Sequence, residues 1–256
     1  MKTRSTTLAH QVADSVALPA QLLPFASELF ADLPALGSSP RRVVGMLERA
    51  GLRRGASVID LACGKGAASI LLASRLGCHC HAIDAFAPFI AEGQNNAACE
   101  GVADRVALSV GDIARTPRSW RGTFDAGLML GLWPFDRAAP LLRSLVRAGG
   151  LYIIDDAVCL SRDDGTTRAD VAEYLTWLGD EVLATDVVSP ARITTTSAVL
   201  SRRIAARAKV IQKREPRLVP ALREFIADHR RSARVLATSM RAIVWVVRRG
   251  PTPKKP

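Results

Sequence analysis

A chain of 256 residues that is 48% hydrophobic and 23% charged has ordinary globular usage. It is long enough for one large domain, or a domain with a subsidiary lid, and too apolar to stay disordered. No run of about 18 uncharged apolar residues occurs, which argues against a transmembrane helix. The opening stretch, interrupted by His10, Gln11 and Asp14, is a poor signal peptide. Five cysteines (Cys63, Cys78, Cys80, Cys99 and Cys159) without a disulfide-like framework point to a reducing cytoplasm. The net charge of +11 is uneven: Ser201 to Pro256 holds 16 Lys or Arg against 3 Asp or Glu, leaving the first 200 residues at −2. This basic quarter is either a solvated helical face or an attraction for anions such as nucleic acid.

In chain order, Leu8 to Leu33 predicts one or two short helices broken at Pro19 and Pro24. Ser39-Pro40 reads as an N-cap with proline at the first helical position, opening a helix over Arg41 to Ala50 that stops at Gly51. Alternating units follow. SVIDLA is a buried strand, Ala67 to Leu76 a helix, Cys78 to Asp84 a strand and Pro88 to Glu100 a helix. Val106 to Val110 and Phe124 to Leu130 are further strands, Asp136 to Val146 is helical, Gly149-Gly150 turns the chain, and Leu151 to Ile154 is a fifth strand. Strands alternating with helices predict a parallel sheet covered on both faces. Beyond Asp156 come a helix (Arg168 to Gly179), a strand (Glu181 to Val188) and two basic helices (Thr194 to Lys213 and Val219 to Met240). A closing strand, Ala242 to Val247, completes the pattern.

The most informative segment is VIDLACGKG, Val58 to Gly66, where a buried strand enters a tight turn of small residues and a helix follows. Ala62, Gly64 and Gly66 let a ligand approach the backbone, and the helix N-terminus offers unpaired N–H groups. Asp84 closes the second strand 24 residues after Asp60, the place from which a carboxylate accepts hydrogen bonds from a ribose diol. At the end of the third strand, Asp112 suits an exocyclic amine and Ile113 the face of a base. A dinucleotide fingerprint requires a later glycine that is missing here, and Asp60 would repel a pyrophosphate. An acid at Asp60 suits instead the ammonium end of an amino-acid ligand. Cys78-His79-Cys80-His81 is not a metal site, because cysteines and histidines alternate across a strand and cannot converge. His10 and His229 are isolated, and no metal-ligand set is visible.

The run from Val58 to Asp156 resembles the class I S-adenosylmethionine-dependent methyltransferases. VIDLACGKG resembles their first motif, Asp84 their ribose-binding acid, and Asp112 with Ile113 their adenine-contacting pair. FDAGLML and LVRAGGLYIIDDA resemble the segments around strands four and five. The resemblance implies a Rossmann-like, doubly wound α/β sheet of seven strands in the order 3-2-1-4-5-7-6, the last antiparallel. It implies S-adenosyl-L-methionine as cofactor, held by Asp60, Ala62, Cys63, Gly64, Gly66, Asp84, Ala85, Phe86, Asp112, Ile113 and Leu130. Ala62 departs from the usual glycine, a change tolerable if its φ is negative. No Asn/Asp-Pro-Pro-Tyr sequence follows strand four, which argues against methylation of nucleobase amines by that machinery.

Substrate is expected at the ends of strands four and five. Trp133 and Phe135 are either an aromatic wall for substrate or plain core. Asp155 and Asp156 either orient or deprotonate a nucleophile, or cap a turn. Tyr174 and Trp177 share a helix face that is core or pocket lining. The organisation expected is N-terminal helices forming part of a lid (1–55), a cofactor-binding core (56–189) and inserted basic helices as lid (190–240). A closing strand (241–249) and a disordered tail (250–256) complete it. The reading is a cytoplasmic methyltransferase of a small molecule at O or N. RNA methylation and a non-catalytic cofactor-binding protein are the alternatives, and the oligomeric state is open.

Overall fold

The computed structural model describes residues 18–35 and 38–251. A 3-10 helix, Ala20–Phe25, runs into α1 (Ala26–Leu29). Then come α2 (Pro40–Arg49), β1 (Ser57–Leu61), α3 (Ala67–Leu76), β2 (His79–Asp84), α4 (Ala87–Cys99), β3 (Val106–Val110), β4 (Phe124–Leu130), α5 (Phe135–Leu145) and β5 (Val146–Cys159). The chain continues through α6 (Arg168–Trp177), β6 (Glu181–Val187), α7 (Pro190–Arg214), α8 (Val219–Thr238) and β7 (Met240–Arg248). The part of the predicted first helix before Leu18, with His10, lies outside the described residues. Most of the expected tail does too, although Gly250 is held by its N–H, which donates to Asp180 Oδ1 at 2.7 Å.

The seven strands form one sheet in the order β3-β2-β1-β4-β5-β7-β6. β1 to β5 pair in parallel, and β7 runs antiparallel to both β5 and β6. This is the expected Rossmann-like order, and it sends the C-terminal tips of β1 to β6 to one edge. Alternation along the strands sorts residues between two cores. Val58, Ala126, Leu128, Leu151 and Ile153 pack with α2 and α3 on one face. Ile59, Leu61, Met129, Ile154 and Trp245 pack with α5 and α6 on the other.

One expectation is corrected in β5. Gly149-Gly150 does not turn the chain; β5 starts at Val146 and the glycines form a bulge where its pairing with β4 shifts register. Gly149 has a φ of +75°, and a Cβ on Gly150 would meet the Asp125 carbonyl at 2.7 Å. Both positions therefore demand glycine. Pro24 sits inside its 3-10 helix rather than ending it. Ser39 precedes α2 without a side-chain cap.

The molecule divides into two compact units. Among the described residues, the larger spans 35, 38–188 and 239–251 and holds the sheet and α2. At the end of the sheet away from the strand tips, the Asp180 carboxylate accepts from Tyr152 Oη at 2.7 Å and Arg143 Nε at 3.0 Å. The smaller unit joins the chain up to Pro34 to Ser189–Thr238. Within it Phe30 meets Phe225 edge-on at 6.1 Å. Arg203 donates to the Asp32 carbonyl at 2.9 Å, Arg207 pairs with the Asp32 carboxylate, and Arg214 reaches Glu28 at 2.6 Å.

Candidate active site

The glycine turn starts where β1 emerges between β2 and β4. Ala62 has a φ of +58° and Gly64 a φ of +55°, so the condition of a negative φ at Ala62 is not met. An alanine holds a left-handed position that glycine would occupy without strain. Gly66 is the packing glycine of this turn, because a Cβ there would strike Leu108 Cδ2 on β3 at 2.7 Å.

Hydrogen bonds join three strand tips. Asp84, at the end of β2, accepts the Gly64 N–H on Oδ2 and the Phe86 N–H on Oδ1, both at 2.8 Å. The Cys63 N–H donates to the Ile83 carbonyl at 3.0 Å, and the Gly111 N–H to the Asp84 carbonyl at 2.9 Å. Asp112 and Ile113 are thereby fixed beside the turn. Asp112 Oδ1 accepts the Ala114 N–H at 2.9 Å and caps a 3-10 turn, while Ile113 is buried. Burial raises the Asp84 carboxyl above its ordinary range, against the backbone N–H groups of Phe86, Gly64 and Ala85 that lower it. Each of its oxygens keeps a further lone pair for an incoming hydroxyl. Ala85 and Phe86 follow in the same loop.

Asp60 lies beneath the turn, 2% exposed, where Ser69 Oγ donates to its Oδ2 at 2.7 Å. Ser69 is in the first turn of α3, so Asp60 pins the helix start. Burial pushes its carboxyl up to about 7, with Asp84 adding to the rise and the Ser69 hydroxyl opposing it. The same burial, with Asp60 and Asp84 nearby, raises the Cys63 thiol. That sulfur stays protonated and is no nucleophile at neutral pH.

Sequence reasoning missed Lys65. It is only 3% exposed, its Nζ lies 2.7 Å from Glu92 Oε1 on α4 and it sits 5.8 Å from the centre of the Phe89 ring. A Cβ on Gly93 would come within 2.8 Å of the Lys65 carbonyl, so α4 presses directly on the turn. The available signal was a lysine between two turn glycines with a glutamate inside an otherwise weakly charged helix.

At the tips of β4 and β5, the sheet's alternation separates the two neighbouring acids. Asp155 lies in the same row as Leu130 of β4 and, across β7, Asp186 of β6. It shares the face of α2 and α3. Ser38 Oγ donates to Asp155 Oδ2 at 2.6 Å, and Arg42 pairs with Asp186. Burial pushes the Asp155 carboxyl up to about 6, with the Ser38 hydroxyl opposing and Asp156 reinforcing the rise. Asp156 faces the other core. Its two oxygens accept the Phe135 N–H at 2.8 Å and the Ala157 N–H at 2.7 Å, so it caps α5. Burial raises its carboxyl as well.

The aromatic candidates part company. Phe135 is core, 2% exposed and edge-on to Trp245 at 5.8 Å. Trp133 is half-buried beneath the Arg137 guanidinium, 3.6 Å from its ring centre. Tyr174 stacks on Trp177 at 6.0 Å; Trp177 is 77% exposed and not core, whereas Tyr174 is half-buried against the core. Tyr174 lines a cavity of about 200 Å³ with Pro134, Asp136, Asp156 and Val171. Cys78 and Cys80 point into the core while His79 and His81 face outward, and no metal-ligating group of His, Cys, Asp or Glu occurs among the described residues.

The donor set fits an adenosyl amino acid. Asp84 offers acceptors for a diol, Asp112 one for an amine and Ile113 an apolar face. The start of α3, whose N-cap Gly66 brings no side chain to its first N–H groups, offers donors to a carboxylate. A seven-stranded sheet of this order with such a turn is the architecture of S-adenosylmethionine-dependent methyltransferases. Residues 58–150 match the family described as "Methyltransferase domain". No curated protein matches the chain in sequence. Among solved structures, YjhP from E. coli superposes with a TM-score of 0.72 at 17% identity, covering 86% of this chain and 97% of that one. The [4+2]-cyclase SpnF gives 0.71 at 20% identity, with 98% and 99% covered. A SAM-dependent methyltransferase from Geobacter sulfurreducens in complex with S-adenosyl-L-homocysteine gives 0.69 at 18%, with 88% and 97% covered. Residues 58–150 thus match a methyltransferase domain, and the chain as a whole has the fold of S-adenosylmethionine-dependent methyltransferases. Among the described residues no helix is long and apolar enough to cross a membrane.

Proposed function

We propose that this protein moves the methyl group of S-adenosylmethionine to an oxygen or nitrogen of a small molecule, with Asp155 as the base. The observation that carries the cofactor half of this reading is Asp84. One carboxylate ties the turn after β1 to the loop after β2, while its own carbonyl holds the tip of β3 beside Asp112. When bound, the cofactor supplies an electrophilic methyl on a sulfonium. Asp84 receives the ribose hydroxyls, Asp112 and Ile113 receive the adenine, and the turn from Ala62 to Gly66 takes the amino-acid end. Leu130 and Gly131 border the methyl's exit from the tip of β4.

Methyl transfer is an in-line displacement, so alignment supplies much of the rate and a base matters only for a protonated nucleophile. Asp155 has a carboxyl held near neutrality by burial and lies in the row of Leu130. Ionised, it takes the proton from a hydroxyl as the oxygen–carbon bond forms and the sulfur leaves as a thioether, or from an ammonium before the freed amine attacks. Ser38 orients it, the hydroxyl donating to Oδ2 and the backbone N–H adding a second bond. Asp156 is assigned to capping α5, because both its oxygens are engaged by backbone N–H groups. Trp133 and Tyr174 are the aromatic candidates for substrate contact, and a lid role for α7 and α8 is part of the proposal on their place in the chain.

Methylation of RNA is the second reading, favoured by exposed arginines of α8 such as Arg223, Arg230 and Arg234. Against it, Arg207 and Arg214 of α7 are neutralised by Asp32 and Glu28. The test is transfer of a radiolabelled methyl group to cell extract separated into small-molecule, RNA and protein fractions. Label in the small-molecule fraction alone supports the proposal. Label in RNA, with binding that weakens steeply in salt, replaces it.

A further inference from the structure

Beyond Asp155, where β5, β6 and β7 end together, a second recess of about 530 Å³ opens on the face of α6. Val158, Val187 and Ile243 form its floor, Arg162, Arg168 and Arg241 line its rim, and no carboxylate lines it. Strand pairing builds this arrangement: Val158 lies opposite Arg241, and Val187 opposite Ile243. Two of the rim arginines meet only neutral groups among the described residues. Arg168 Nη2 donates to Thr185 Oγ1 at 3.2 Å, and Arg241 Nη1 to the Met240 carbonyl at 2.8 Å. Arg162 is held by Asp170 at 2.7 Å. Elsewhere in the same unit arginines close on acids, as Arg75 does on Glu48 and Arg143 on Asp180.

We propose that this recess binds an amphiphilic anion, a carboxylate or phosphate monoester carrying a short hydrocarbon chain. The head lies between Arg168 and Arg241, and the chain covers Val158, Val187 and Ile243. Guanidinium forks match the oxygens of either head group, the volume is that of a small-molecule site, and the apolar floor gives the chain a reason to leave water. No aromatic side chain lines the recess, so nothing there stacks on a nucleic-acid base. Three residues of β5, about 10 Å at the strand's rise, separate Val158 from Asp155, so occupancy does not depend on the cofactor.

The test is calorimetric titration of the full chain, without cofactor, with octyl phosphate, octanoate, inorganic phosphate, octanol and octyltrimethylammonium. Both eight-carbon anions are expected to bind at one site and to weaken as salt rises from about 50 to about 500 mM. Octanol and the cation are expected at least about tenfold weaker, and the stronger of the two anions identifies the head group. Arg168→Ala with Arg241→Ala is expected to weaken the anions by about tenfold or more while S-adenosylhomocysteine binds as before. Equal binding of the cation or octanol overturns the proposal, as does wild-type anion affinity in the double variant or no anion binding at millimolar concentration. If the double variant melts early, Arg241→Gln alone and the ligand series on the unaltered protein decide the matter.

Discussion

Replacing Asp84 by alanine removes two acceptors at one stroke, and the structure lets the consequences be separated. The N–H groups of Gly64 and Phe86 each lose a bond of 2.8 Å to a charged oxygen. Bonds to charged acceptors contribute about 1.5–3 kcal/mol each when fully formed. Asp84 is only half-buried, and its raised pKa means that desolvation already opposes the charge. Water can reach the freed N–H groups, so the loss of stability is about 2 kcal/mol for the pair, within the range for such removals. Binding of S-adenosylhomocysteine should fall further, by about 1–3 kcal/mol or about 5- to 150-fold in Kd, because the ribose loses its acceptors. Asp84→Asn, keeping one acceptor oxygen and adding a donor, should fall between the two. Calorimetry at 25 °C on protein shown folded by its melting curve measures both effects. Wild-type affinity in the folded alanine variant would refute the placement of the ribose and, with it, the grip of three strand tips on one nucleoside.

The remaining predictions concern proton balance, strain and the anchoring of the sheet. Asp155→Asn should bind S-adenosylhomocysteine as before yet lose transfer to a protonated acceptor; in the unaltered protein kcat/KM should rise with pH through about 6, where Asp155 ionises, and that limb should vanish in the variant. Asp60 has a folded pKa of about 7 against an ordinary 3.8, so its contribution to stability is present in full below 3.8 and lost as pH rises through about 7. Asp60→Asn, which still accepts from Ser69, should therefore flatten the fall in denaturant stability between those values by up to about 1.4 kcal/mol per pH unit, and an unchanged slope would remove Asp60 as the source. Ala62→Gly should stabilise by about 0.5–1 kcal/mol, the relief of a left-handed alanine less the entropy of glycine in the unfolded chain, and a lowered Tm would contradict the φ of +58°. Tyr152→Phe leaves Asp180 with Arg143 and the Gly250 N–H and should lower Tm by about 2–8 °C.

Much of the fold could be read from the sequence because its elements end on residues with local reasons to stop. α3 was placed at Ala67 to Leu76 because it follows the glycines of the turn, and the structure shows Gly66 and Gly77 at left-handed φ at its two ends; β3 and β4 were separated by a loop with Pro117 and Gly122. β5 was read too short for an equally physical reason. Gly149-Gly150 has the composition of a turn, and only its pairing with β4 makes it a bulge. Local sequence cannot tell the two apart, since both need positive φ and no Cβ. The candidate carboxylates were legible from their places in the strand pattern, Asp84 closing β2 and Asp112 following β3 by two residues. The partners of Asp60 and Lys65 were not, since Ser69 and Glu92 reach them across tertiary contacts that no spacing rule announces.

Asp155 and Asp156 show why strand parity matters more than proximity in such a site. The two are adjacent in sequence and were read as interchangeable candidates, yet alternation sends them to opposite faces of β5. On the face of Ile153, Asp155 finds one hydroxyl donor and the row of Leu130. On the face of Ile154, Asp156 finds the Phe135 N–H at the start of α5 and the N–H of its own neighbour Ala157. A carboxylate with both oxygens engaged by amides is turned toward the backbone rather than toward a substrate, even though burial raises it. One held by a single residue, Ser38, in a buried setting keeps a pKa of about 6, close to working pH. A one-residue slip of β5 against β4 would exchange these roles. The register of β5 against β4 shifts at the bulge of Gly149-Gly150, so the two glycines at the remote end of the strand decide which aspartate lies in the row of Leu130, where the base is proposed.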